Sequence, residues 1–145
     1  MAESVKTVAV FNASDDTVEM LMLLLSNRGH RAITGHTDEV KSGALNFIAF
    51  LETHQPDAMI WDIAPPYDRN WNFALLVREI RPLERCPIVF TTTNKQHLDA
   101  LSQQDTGAYE IIGKPYDLDV IVNAVEAALE RHAAPGLRRL AQGRS

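Results

Sequence analysis

Three residues that could do chemistry stand at or just past the ends of apolar runs in this 145-residue chain. Asp62 follows Ala58-Met59-Ile60-Trp61, Thr92 closes Pro87-Ile88-Val89-Phe90-Thr91, and Lys114 follows Glu110-Ile111-Ile112-Gly113. A carboxylate is a nucleophile, a hydroxyl can donate to a group being transferred, and an ammonium can neutralise its charge. Brought together, the three would form a compact site for an anionic group. Each alone has a plainer explanation. Asp is common in turns, Thr in strands and Lys on solvated surfaces.

The elements that must position them alternate along the chain. Val5 to Phe11 is short, β-branched and apolar, as a buried strand is. Val18, Leu21, Met22 and Leu25 recur at helical spacing, behind Ser14, Asp15 and Asp16 as N-terminal caps and before Gly29 as a stop. Arg31 to Thr34 is a weak strand, and Gly35 to Gly43 a loop or frayed helix start. Leu45, Ile48, Ala49 and Glu52 mark a second helix closed near Pro56. After Asp62, Pro65 and Pro66 interrupt regular structure. Tyr67 to Asn72 is expected as a polar-aromatic loop, and Phe73 to Ile80 as a third helix. Gln96 to Gln104 gives a fourth helix. Leu118, Ile121, Val122, Val125 and Leu129 share one face of a fifth, capped by Asp117. Apolar strands joined by helical crossovers predict an α/β fold, with a doubly wound five-stranded parallel sheet in a flavodoxin-like three-layer sandwich. In such sheets ligands bind beyond the carboxyl ends of the strands, where Asp62, Thr92 and Lys114 stand. Residues 1–132 form the expected domain. Residues 133–145, rich in Ala, Gly and Arg, are expected as a flexible tail.

Composition narrows the function. The chain is 46% hydrophobic and 23% charged, enough for one domain with its own core. A net charge of -5 argues against a nucleic-acid partner. No run approaches the about 20 apolar residues of a membrane span, so no membrane partner is expected. The lone Cys86 has no disulfide mate, which fits a reducing, cytoplasmic setting. Neither a P-loop nor a Gly-x-Gly-x-x-Gly run is present.

The order and spacing of these pieces resemble the receiver domain of two-component response regulators. The resemblance covers about residues 5 to 132. It rests on Pro56-Asp57-Ala58-Met59-Ile60-Trp61-Asp62, on Pro87-Ile88-Val89-Phe90-Thr91-Thr92, and most specifically on Gly107-Ala108 with Lys114-Pro115-Tyr116-Asp117-Leu118-Asp119. It implies that Asp62 accepts a phosphoryl group from a histidine kinase or phosphotransfer protein. Thr92 and Lys114 would then bind the new group, and the Lys114–Pro115 bond would be cis. It implies no enzymatic activity beyond self-phosphorylation and self-dephosphorylation. A homodimer or partner face is implied at about 96–131. The residues after His132 are too few for a DNA-binding fold, so the chain reads as a stand-alone receiver or a piece of a longer protein.

The chain also departs from the family. Receivers place two acids directly after the first strand to hold Mg²⁺, and here those positions are Asn12 and Ala13. The spacing to Gly29 leaves no room to count from Asp15 instead, so Asp15 and Asp16 read as first-turn acids favoured by the helix dipole. The metal ligands that remain are Asp62, the Ala64 carbonyl, Asn12 and, by reach, Asp16. Such a set lacks most of the charge that Mg²⁺ prefers. Ile111 stands where the family has a switch aromatic, with Tyr109 two residues earlier. The Tyr67–Asn72 stretch looks longer than the usual connection, and its Trp71 is either a contact residue or a lid on the third helix. Two functions follow: a phosphorylatable receiver, or a pseudo-receiver that works by protein contacts alone. A phosphohydrolase with an Asp-x-Asp nucleophile motif is disfavoured, because Ile63-Ala64 follows Asp62.

Overall fold

A computed structural model of the chain describes residues 5–83, 86–102, 110–113 and 117–141. Five parallel strands form one sheet: β1 (Thr7–Phe11), β2 (Arg31–Gly35), β3 (Ala58–Ile63), β4 (Ile88–Thr92) and β5 (Glu110–Gly113), in the order β2-β1-β3-β4-β5. The order reverses after β1, and β1 and β3 then sit side by side at the centre. This is the flavodoxin-like winding, whose ligand crevice lies at that reversal.

Helices cover both faces. α1 (Asp15–Asn27) and α6 (Leu118–Ala141) pack on one side, where Val8, Val10, Ala58, Ile60 and Val89 meet Leu21, Leu25, Ile121, Val122 and Val125. α1 starts where the Ser14 hydroxyl accepts from the Thr17 amide at 3.3 Å. It ends in a left-handed turn at Gly29 (φ 85°), with the His30 amide returning to Leu25 O and the Gly29 amide to Ser26 O. The opposite face is aromatic. Ala9, Phe11, Met59, Trp61, Ile63 and Phe90 meet Phe47, Leu51, Trp71, Ala74, Val77 and Leu98. These come from α3 (Phe47–His54), α4 (Tyr67–Arg78) and α5 (Lys95–Ser102). Strand alternation produces the split, since successive side chains leave opposite sides of the sheet.

Three segments differ from expectation. The expected second helix is preceded by a separate short one, α2 (Thr37–Ser42), because Gly43 (φ 83°) stops it and Asn46 caps a new start through its Oδ1. Tyr67–Asn72 is not a loop. α4 begins at Tyr67 directly behind Pro66, which suits a helix start because its missing N–H is not needed there. Asn70, Trp71, Ala74 and Val77 are its buried side, so Trp71 is 2% exposed and packs edge-on to Phe90. The connection after β3 is therefore only residues 64–66. Last, α6 continues to Ala141, where a tail was expected from Ala133.

Candidate functional site

The site grows from the carboxyl ends of β1, β3 and β4. Register pairs Asp62 with Thr91 and Ile63 with Thr92. Alternation therefore turns the Asp62 and Thr91 side chains to the same side of the sheet and Thr92 to the other. The Thr91 hydroxyl donates to Asp62 Oδ1 at 2.6 Å. The Thr92 hydroxyl donates instead to the Ile63 carbonyl at 2.9 Å and accepts the Asn94 amide at 3.2 Å, which fastens the β4–α5 turn. Both threonines are buried. The structure thus brings Thr91, a residue the sequence left in the strand, onto Asp62. Period-two alternation from Asp62 through the register was the signal that could have found it. Lys114, Pro115 and their peptide bond, with Gly107, Ala108 and Tyr109, lie outside the described residues. So does part of the 96–131 face. The cis bond among the described residues is Pro65–Pro66.

Beside Asp62 lies a cavity of about 260 Å³ lined by Ala13, Thr37, Asp38, Lys41, Trp61, Asp62, Ala64, Pro65, Asn70 and Phe73. Two residues here were not anticipated. Asn70, on the first turns of α4, is 9% exposed. Its Nδ2 donates to the Ala64 carbonyl at 2.6 Å and its Oδ1 accepts from Lys41 Nζ at 2.7 Å, so both neighbours fix the amide's orientation. Lys41 reaches in from α2. Reading Tyr67–Asn72 as a loop hid Asn70, and Lys41 lay in Gly35–Gly43, read as a loop or a frayed helix start, where no site residue was sought. Asp15 pairs with His36 Nε2 at 2.6 Å, and Asp68 with His97, where Tyr67 also meets the Thr93 hydroxyl.

The Mg²⁺ implied by the resemblance can be tested against this donor set. Asn12 is 3% exposed, and its Oδ1 already accepts the Ser14 amide at 2.9 Å. Its Nδ2 is buried without a hydrogen-bond partner among the described residues, and Asn12 does not line the cavity. The Ala64 carbonyl is engaged by Asn70. Asp16 is exposed on the first turn of α1, and Asp15 is held by His36. Among the described residues no three His, Cys, Asp or Glu side chains are grouped to share an ion. A small hard cation wanting six oxygens does not fit these residues. Ile111, at the switch position, is 8% exposed and belongs to the aromatic core. Cys86 is no nucleophile: burial, with the Asp57 charge second, pushes its thiol up to about 12.

Known proteins share this architecture. No protein-family model matches the chain. It is similar to the receiver of a response regulator receiver modulated diguanylate cyclase from Pelobacter carbinolicus, with a TM-score of 0.67 and 16% identity over 91% of this chain and 98% of that one. It is similar also to the chemotaxis protein CheY4 of Vibrio cholerae, with a TM-score of 0.67 and 18% identity over 86% of this chain and 99% of that one. The chain has the receiver fold of the response regulators. By sequence, the chain is 27% identical to the DNA-binding transcriptional regulator NtrC of Azospirillum brasilense, over 70% of its own length and 21% of NtrC. It is 27% identical to the transcriptional regulatory protein CseB of Streptomyces coelicolor, over 92% of its own length and 54% of CseB. The receiver thus spans from about a fifth to about half of these relatives. No helix among its described residues is long and apolar enough to cross a membrane.

Proposed function

We propose that this receiver accepts a phosphoryl group on Asp62 from a histidine kinase or phosphotransfer protein and passes the signal on through protein contacts. The observation that carries this reading is the Asp62 carboxylate at the end of β3, held by the Thr91 hydroxyl and opening on a cavity large enough for a phosphoryl group. In the transfer, an Asp62 oxygen forms a new P–O bond and the donor's P–N bond breaks. The electron pair leaves on nitrogen, as ammonia from phosphoramidate or as an imidazole that takes up a proton from phosphohistidine. Thr91 positions the attacking carboxylate, and Thr92 keeps the adjoining turn in place.

The test is mass spectrometry of the intact chain and its peptides after incubation with phosphoramidate. The expected result is one phosphoryl adduct on the peptide carrying Asp62, absent from Asp62→Asn. No adduct with or without Mg²⁺ would leave the protein a contact module.

A further inference from the structure

The cavity beside Asp62 contains a positive charge of its own. Lys41 enters it from α2, and its ammonium is anchored at 2.7 Å to the Oδ1 of Asn70, a residue 9% exposed. Asn70 in turn holds the Ala64 carbonyl, so backbone, amide and ammonium form one chain along the cavity wall next to Asp62. The anchor is neutral. An ammonium has three donors, and Asn70 uses one of them. The nearest acid to Lys41 is Asp38, at 4.0 Å with its side chain 78% exposed, too far for a hydrogen bond and screened by water. Lys41, its side chain 36% exposed, gives one donor to Asn70, and no other hydrogen bond from it is made among the described residues. Asn12 and Ala13, meanwhile, bring no negative charge to the end of β1 that would draw a divalent ion.

These observations have one account. We infer that Lys41 supplies positive charge to the Asp62 cavity in place of the divalent ion that the donor set does not accommodate, so that phosphoryl transfer to Asp62 proceeds without metal. The inference rests on the phosphoacceptor reading above and adds the source of positive charge. An incoming phosphoryl group carries negative charge toward a carboxylate, and something must offset that repulsion. Lysine does so as a point charge on a flexible stem, able to follow the group as it moves from donor to Asp62. The same charge disfavours Mg²⁺ in this cavity by repulsion. Lys41 does not form or break a bond. It is a positioning and charge-offsetting residue for the reaction at Asp62.

The experiment uses the whole chain as wild type, Lys41→Gln, Lys41→Met and Lys41→Arg. Methionine retains the apolar stem and arginine the charge, and thermal melting checks that each variant folds. Phosphoramidate labelling of Asp62 is followed in EDTA and in Mg²⁺, and Mg²⁺ is titrated by calorimetry. The expected result is the same labelling rate for wild type in both buffers. In EDTA, labelling drops about tenfold in the Gln and Met variants, the scale of one hydrogen bond to a charged group, and is retained in Arg. Wild-type labelling that needs Mg²⁺, or labelling in EDTA that is unchanged by Lys41→Gln and Lys41→Met, overturns the inference. Should wild type take no label in either buffer, the phosphoacceptor reading fails by itself and calorimetry decides the cation question. Mg²⁺ affinity raised about tenfold by Lys41→Gln supports this role for Lys41, and unchanged affinity overturns it.

Discussion

The two faces of the sheet solve different problems. Under α1 and α6 the core is aliphatic, and a polar cluster at its edge ties the two helices. Arg28 reaches Glu126 at 2.8 Å and Asp119 at 3.2 Å, and His30 meets Glu126 at 2.9 Å. Under α3, α4 and α5 the core is a run of rings: Phe11 against Phe47, Phe50 and Trp61, then Trp61 against Phe73, and Trp71 against Phe90. The cavity beside Asp62 takes Trp61 and Phe73 of this second face into its wall, with Lys41 and Asn70 at its edge, while the Asp62 and Thr91 side chains turn to the aliphatic side. The aliphatic face carries the clamp; the aromatic face supplies the rings that wall the cavity. Large rings fix the wall of the cavity while the short α2 and the start of α4 supply the polar groups.

The largest expected effect tests whether the aromatic face carries that structural weight. Trp71→Ala should destabilise the protein by about 3–5 kcal/mol in urea unfolding, because a side chain 2% exposed leaves a large void against Phe90. A Trp on an exposed loop would cost well under ~1 kcal/mol. A small value would therefore return Tyr67–Asn72 to a loop and remove Asn70 from the cavity wall.

A smaller effect is expected where β2 lies against the same rings. A Cβ built at Gly35 would come within 2.5 Å of Phe11 Cε1, and Phe11 is fully buried with Phe47 and Phe50 around it. The ring has no free direction in which to yield. Gly35→Ala should cost about 1–3 kcal/mol, the range for overpacking. The same unfolding series would show whether the rings are tight. An unchanged midpoint would mean that Phe11 can move, and that the aromatic face is softer than its packing implies.

How legible each face was follows from its chemistry. The strands and the aliphatic face could be read directly: Leu21 and Leu25, then Ile121, Val122 and Val125, keep a clean helical spacing. So could the position of Asp62 at a strand end, once the sheet order was inferred. The aromatic face was harder to read. In Tyr67-Asp68-Arg69-Asn70-Trp71-Asn72 four polar residues mask a helical side made of Asn70, Trp71, Ala74 and Val77, because a buried Asn interrupts the apolar period. Pro65 and Pro66 looked like a stop but mark a start. Lys41 was not singled out because its partner, Asn70, is 29 residues away in sequence and only tertiary structure brings the two together. Thr91 was passed over because Thr92 was read as the residue closing the strand, and only the β3–β4 register shows that Thr91 lies beside Asp62.

The smallest effect belongs to the clamp, and it sharpens the contrast by its dependence on salt. Arg28 is the one residue of α1 or its cap that meets two acids of α6, with an additional hydrogen bond to Asn123 Oδ1 at 2.9 Å among the described contacts. Its side chain is 29% exposed, and those of Glu126 and Asp119 are 36% and 55% exposed, so water and ions reach the pairs. Arg28→Ala should therefore cost only about 1 kcal/mol at low salt, and less at high ionic strength, as partly exposed pairs are screened. Unfolding measured in low and high NaCl checks this. If the cost exceeded that of Gly35→Ala and did not respond to salt, the clamp would be held by desolvated charge. The division between an adjustable polar edge on one face and a rigid ring scaffold on the other would then fail.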